Sequence, residues 1–249
     1  MALALAGCGG DDAPVSSEAP ADPLEQADPR VVKLQRRVER ALASGDCDRI
    51  NRLNPLSRPD FRTPERCESL RRLEGLEPAG GESYGGRAAV LDYAQGERTI
   101  SAVAILDRDK RFHLAMIDGF LGEPTVGTKL DRAFGGAAKR TLDALPAGDC
   151  EAVLGIAYRR TGPGAGPDKT ACLQLQQYPL STLLRSDPGA KAKLIGGNEA
   201  FAFFRVRSGD QDLTMIMARQ ERAPELPDGA GKLPSGAPQL GFAGAFDVR

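Results

Sequence analysis

One seven-residue stretch occurs twice in this chain, and no other feature restricts the fold as much. Ala41-Leu42-Ala43-Ser44-Gly45-Asp46-Cys47 returns as Ala144-Leu145-Pro146-Ala147-Gly148-Asp149-Cys150, each matched position 103 residues later. The match resumes downstream. Pro64-Glu65-Arg66 precedes Cys67, and Pro167-Asp168-Lys169 precedes Cys172 with two residues inserted before the cysteine. A repeat of this length predicts a tandem duplication, two units of about 95–100 residues each. The predicted organisation is an N-terminal segment over 1–8, a tether over 9–28, one unit over 29–126 and a second over 127–249 with a C-terminal extension.

Composition narrows the partners. Hydrophobic residues make up 41% of the chain and charged residues 27%, the balance of a globular protein. The net charge of −1 gives no basic footprint for nucleic acid and no polybasic membrane patch. With a single histidine, acid–base chemistry has little to draw on.

Five cysteines divide as Cys8 near the start and four inside the units. Four cysteines allow three pairings, and the duplication selects Cys47–Cys67 with Cys150–Cys172, because each bond then stays within one copied unit. Such bonds persist outside the cytoplasm. Buried free thiols and metal ligands remain the alternatives. Neither pair has the close spacing or accompanying histidine that zinc usually takes.

Residues 9–28 are rich in Ala, Pro, Ser, Asp and Glu and carry too little apolar surface to order themselves. As a flexible tether they would hold the body on the order of 25 Å from an anchor. Asp28-Pro29 then reads as a helix start. Val31, Leu34, Val38, Ala41 and Leu42 follow helical spacing, and Gly45 is placed to end the helix. A short helix is expected through Ile50 and Leu53, and a third from Thr63-Pro64 onward. Gly80 to Gly86 reads as a glycine-rich turn region. Strands are predicted over 87–94, 98–106 and 111–118, the last two joined by the polar turn Asp107-Arg108-Asp109-Lys110.

The second unit repeats the plan. A first helix carries Leu130, Phe134, Ala138, Leu142 and Leu145, with further helices over 151–160 and 167–184. Strands follow over 190–195, 200–207 and 212–220, and Ser208-Gly209-Asp210-Gln211 is a hairpin turn. Residues 239–249 are apolar enough for a last strand, or form a loose tail.

The start of the chain, Leu5-Ala6-Gly7-Cys8, resembles the lipobox of bacterial lipoproteins. That resemblance implies diacylation of Cys8, anchoring to the bacterial cell membrane and an extracytoplasmic body. Only seven residues precede Cys8, without Lys or Arg, so the secretory signal is expected to continue upstream or to have been trimmed. The body resembles the NTF2-like, or cystatin-like, superfamily, and within it the modules of bacterial lipoproteins. The residues that carry this are Ala41, Leu42, Gly45 and Asp46 at the end of the first helix, and more loosely His113 to Gly119 as the closing strand. The implied fold class is α+β: two tandem repeats, each a long helix plus short helices on a curved antiparallel sheet. Met215-Ile216-Met217-Ala218, matched to the closing strand in the second copy, lacks the Asp-Gly that follows in the first.

Candidate chemistry is sparse. His113 alternates with Phe112 and Leu114 and so faces away from them; Asp92 and Asp118 are conceivable partners for it. Gly162 to Pro167 lacks the strand, Lys and Ser/Thr of a phosphate loop. Asp107/Asp109 and Asp210/Asp212 supply too few oxygens for calcium and read as hairpin solubility. Arg30, Arg36, Arg37 and Arg40 read as a solvated helix face. No metal and no cofactor is expected. The function expected is that of a non-catalytic, membrane-anchored lipoprotein, a binding or assembly module for an envelope protein. The alternatives are a carrier of a small apolar ligand and an isomerase- or dehydratase-like enzyme using His113.

Overall fold

The computed structural model describes residues 28–53, 75–107, 109–116, 130, 132–156, 176, 178–219 and 240–247. The first helix, α1 (Pro29–Ala43), begins where the sequence places it. Asp28 stays extended and its carboxylate accepts the Arg30 amide at 2.9 Å, while Arg30 Nη2 closes an ion pair at 2.6 Å. That satisfies one of the orphan donors of the first turn. Val31, Leu34, Val38, Ala41 and Leu42 form the buried stripe.

The physical content of the repeated Gly-Asp-Cys is visible at the end of α1. Gly45 takes a left-handed conformation, φ +60°, and donates its amide to Leu42. Asp46 Oδ1 then accepts the amides of Asp48 and Arg49 at 2.9 and 3.1 Å and starts α2 (Cys47–Arg52). The second copy does the same. After α3 (Ala133–Ala147), Gly148 sits at φ +69° and Asp149 accepts the Glu151 amide at 2.9 Å to start α4 (Cys150–Ile156). Glycine stops one helix, aspartate caps the next, and cysteine opens it. The last described helix is α5 (Pro179–Ser186).

Among the described residues eight strands form two four-stranded antiparallel meanders. The first holds β1 (Glu77–Tyr84), β2 (Ala88–Gln95), β3 (Arg98–Leu106) and β4 (Phe112–Met116). The second holds β5 (Ala192–Gly197), β6 (Phe201–Ser208), β7 (Gln211–Arg219) and β8 (Leu240–Asp247). The chain is therefore an α+β protein. Six of the predicted strands are present with ends shifted by a residue or two.

Gly80 and Gly81 lie inside strand β1, not in a turn; the turn is Gly85-Gly86-Arg87. A β-carbon on Gly81 would lie 2.9 Å from the Val90 carbonyl and 3.0 Å from Val31 Cγ1, so glycine is there to let α1 approach the sheet. The strands of the two halves also correspond differently from the expected match. Ala88 pairs with Ile105 and Phe201 with Ala218, each residue 113 positions later, and the offset holds to the Gln95–Arg98 and Ser208–Gln211 ends of both hairpins. Even the bulges agree, between Val103 and Ala104 and between Ile216 and Met217. The strand carrying Met215 to Ala218 thus corresponds to β3, and the counterpart of β4 is β8, the 239–249 segment left open above.

Three cores stack the layers. Val31, Leu34, Val38 and Leu42 of α1 pack on Ala89, Leu91, Tyr93, Ala104 and Leu114 of the first sheet. Phe134, Ala138 and Leu145 of α3, with Leu180, Leu183 and Leu184 of α5, pack on Phe204, Val206, Met215 and Met217 of the second. The third core lies between the sheets: Tyr84, Val90, Val103 and Ile105 meet Phe201, Phe203, Ile216 and Ala218. The order is helix, sheet, sheet, helix. The central strands are therefore buried on both faces.

Candidate functional site

The polar groups that bring the two halves together start from the β1–β2 turn. Gly85 at φ +55° and Gly86 at φ +62° reverse the chain, and Gly85 lies against Ile195 of β5. Arg87 leaves this turn and crosses to the second sheet. Its Nη2 donates to Asp212 Oδ1 at 2.7 Å, its Nη1 to Oδ2 at 3.2 Å, and its Nε to Thr214 Oγ1 at 3.2 Å. Arg205 reaches the same carboxylate from β6, Nε to Oδ1 at 2.9 Å and Nη2 to Oδ2 at 2.5 Å. The register makes this possible: Arg205 pairs with Thr214 and Arg207 with Asp212, so Asp212 is a diagonal neighbour of Arg205 on one face.

Asp212 is therefore clamped by two guanidinium groups. The hydrogen bond from Arg205, joined by that from Arg87, outweighs burial and holds its carboxyl below the usual range. In the sequence Asp212 reads as a solubility residue of the hairpin; in the fold it is the acceptor at the centre of the seam. Sequence offered half of this. The predicted turn at 208–211 already places Arg205 and Asp212 on neighbouring strands, but nothing in it points to Arg87.

One of the corresponding positions in the first sheet has the opposite charge. At the 113-residue offset of the hairpins, Arg205 answers to Asp92 and Thr214 to Ser101. Ser101 Oγ donates to Asp92 Oδ1 at 2.5 Å. Burial, with Glu82 adding repulsion, raises the Asp92 pKa despite that bond. A raised carboxyl pKa means ionised Asp92 costs stability above its folded pKa, a cost that disappears as pH falls towards the unfolded value. Asp92→Asn keeps an acceptor for Ser101 and removes the charge. It is expected to raise the melting temperature at pH 7, with the gain shrinking on acidification. A gain that is constant from pH 7 to pH 4 would contradict this.

His113 meets Asp107, not Asp92, the one of its two expected partners that lies among the described residues. Its Nε2 pairs with the Asp107 carboxylate, which also accepts the Arg111 amide at 2.8 Å. Burial pulls the Asp107 pKa up, but the bonds from Arg111 and His113 more than offset it and leave it lowered. Asp92 is engaged with Ser101, and Asp118 lies outside the described residues. Among the described residues His113 Nδ1 is buried and meets no partner. With Nε2 on Asp107, Nδ1 is the ring nitrogen left for general-base work.

In the core under α1, Gln35 Nε2 donates to the Gly80 carbonyl and, at 3.1 Å, to that of Asp92. Gly80 sits at the bulge of β1, where the ladder is interrupted, so Gln35 takes up backbone groups the bulge releases. The Gln35 Oε1 and the Tyr93 hydroxyl are buried there without a partner among the described residues.

Cys47 and Cys150 occupy equivalent places as the first residues of α2 and α4. Their side chains, and all of Cys8, Cys67 and Cys172, lie outside the described residues, as do the predicted third helix of the first unit and the 162–167 loop. Among the described residues no group of three or more His, Cys, Asp or Glu is placed to hold a metal ion, and no helix is long and apolar enough to cross a membrane.

The fold and seam define a class: an α+β protein of two helix-backed antiparallel sheets joined face to face. Compared with protein-family models, curated proteins and solved structures, the chain matches none.

Proposed function

We propose that each half is an NTF2-like module and that the chain is a non-catalytic, membrane-anchored extracytoplasmic lipoprotein, a binding or assembly module at the bacterial cell envelope. The observation that carries this is an order of parts. A lipobox-like Leu5 to Cys8 is followed by an acidic spacer and then by a double-sheet body. The matching register of the two hairpins supports two copies of one module.

Cys8→Ala, expressed with the native upstream region, is expected to release the protein from membranes; fractionation and acyl mass are the measurements. A variant that stays with the membrane at unchanged acyl mass would sink the idea. The diacyl form is required, because one chain anchors only marginally. The disulfides Cys47–Cys67 and Cys150–Cys172 belong to the same reading. Non-reducing peptide mapping of exported protein should recover those two linked peptides; Cys47 joined to Cys150, or free thiols, would refute the pairing.

A carrier of a small apolar ligand in one of the two modules is the second reading. Native mass spectrometry of protein purified from its own membrane would show the added mass.

A further inference from the structure

Although the whole chain carries a net charge of −1, its basic residues are not evenly spread. Lys193 of β5 pairs directly with Arg205 of β6, so the two share the face that looks toward the first sheet. Arg207, two residues further along β6, continues that row, and Lys191 sits one residue ahead of β5. Arg87 reaches in from the turn. The acid among them, Asp212, is taken by Arg87 and Arg205. Asp187, in the turn before β5, accepts Ser208 Oγ at 2.6 Å and the Gly189 amide at 3.1 Å, and Asp210 is exposed at the hairpin tip. Lys191, Lys193 and Arg207 are exposed and have no acidic partner among the described residues. Like charges directly opposite on a sheet are unfavourable, so the Lys193–Arg205 pair does nothing for the fold itself.

β5 is also an edge strand, with β6 on one side and no described strand on the other. On the opposite face of the same strand Leu194 is 43% exposed, the large hydrophobic residue left open among those described. Both edges of the first sheet differ. β1 carries Glu77, Pro78 and Glu82, and the Leu114 amide of β4 is bonded to Leu53.

We propose that the outer edge of β5 binds an extended acidic segment of a partner protein by strand addition. Backbone hydrogen bonds to β5 supply the affinity and alternate side chains supply the selectivity. Successive same-face residues are about 6.6 Å apart along a strand, so acids at every second position of the incoming segment face Lys191 and Lys193. The residues between them face Leu194, and these are apolar. The recognised pattern is alternating acid and apolar residues. This names the partner chemistry of the binding-module reading and rests on it.

The test uses the full chain with Cys8→Ser, so that anchoring plays no part, and a labelled Glu-Val-Glu-Val-Glu-Val peptide followed by fluorescence anisotropy. The acidic peptide should bind and weaken as salt rises, and a Lys-Val counterpart should not bind. Lys191→Glu/Lys193→Glu should lose about tenfold or more in affinity, with its circular dichroism melt unchanged. A peptide N-methylated on the amides that pair with β5 should fail against the unaltered protein, which separates strand addition from simple attraction. Three results would overturn the proposal. One is equal binding of the N-methylated peptide. Another is capture by phosphatidylglycerol–phosphatidylcholine vesicles with none of the peptide, which would assign the row to a membrane surface. The third is binding of neither, leaving the lysines as guards against edge-to-edge aggregation. None of these outcomes bears on the Cys8→Ala fractionation, so the two readings fail separately.

Discussion

Phe203→Ala is expected to lower the free energy of unfolding by about 3–5 kcal/mol. Phe203 is fully buried between the sheets. Its ring stacks on Tyr84 with centroids 5.3 Å apart and planes at 29°, and its strand partner is Ile216. The seam has little room to collapse around the gap. Tyr84 already lies against Gly196, where a β-carbon would come within 2.7 Å of its ring. Truncation therefore leaves a cavity, and the lost dispersion contacts add to the transfer cost. Urea denaturation followed by far-ultraviolet circular dichroism measures the loss. Tyr84→Phe serves as the control. It keeps the stack and removes the hydroxyl's 2.9 Å bond to Glu82, so a change under about 1 kcal/mol is expected. If Phe203→Ala unfolds within about 1 kcal/mol of the unaltered protein, the two sheets do not share a packed core.

Asp212→Ala is the second large effect, about 2–4 kcal/mol. This lies below the range for a fully buried pair because the Asp212 side chain is 15% exposed. The substitution removes the acceptor from both Arg87 and Arg205 and leaves two guanidinium groups facing each other. The two arginines are not equivalent. Arg87 is the more enclosed and joins the halves, whereas Arg205 is 38% exposed and its bond is screened by solvent. A double-mutant cycle should give a larger coupling for Arg87–Asp212 than for Arg205–Asp212. The pH dependence has a definite sign. Because the folded pKa of Asp212 is depressed, its contribution is complete above the unfolded value of about 3.9 and is lost as pH falls through the folded pKa. Asp212→Ala should flatten that part of the acid unfolding profile. An unchanged profile, or equal coupling to the two arginines, would contradict the assignment.

The parts of this protein legible in its sequence are those set by a few neighbouring residues. Asp28-Pro29 marks the start of α1, Gly45-Asp46 ends it and caps α2, and Gly148-Asp149 does the same after α3. Each is a local hydrogen bond or a single left-handed residue, so its cause lies within four positions of the chain. The strands of the β3–β4 and β6–β7 hairpins were legible for the same reason, since turn residues at 107–110 and 208–211 bound apolar runs.

Tertiary structure alone decided β1, the corresponding strands and the seam. Glycines that read as a turn are strand residues because α1 lies against Gly81, a contact 50 residues away at Val31. The run Phe201-Ala202-Phe203-Phe204 shows no alternation because both its faces are covered, and a strand buried on both sides carries no mark of what covers each. Arg87 and Asp212 are 125 residues apart. Their pairing follows from two sheets meeting face to face, and neither residue's neighbours in the chain encode it.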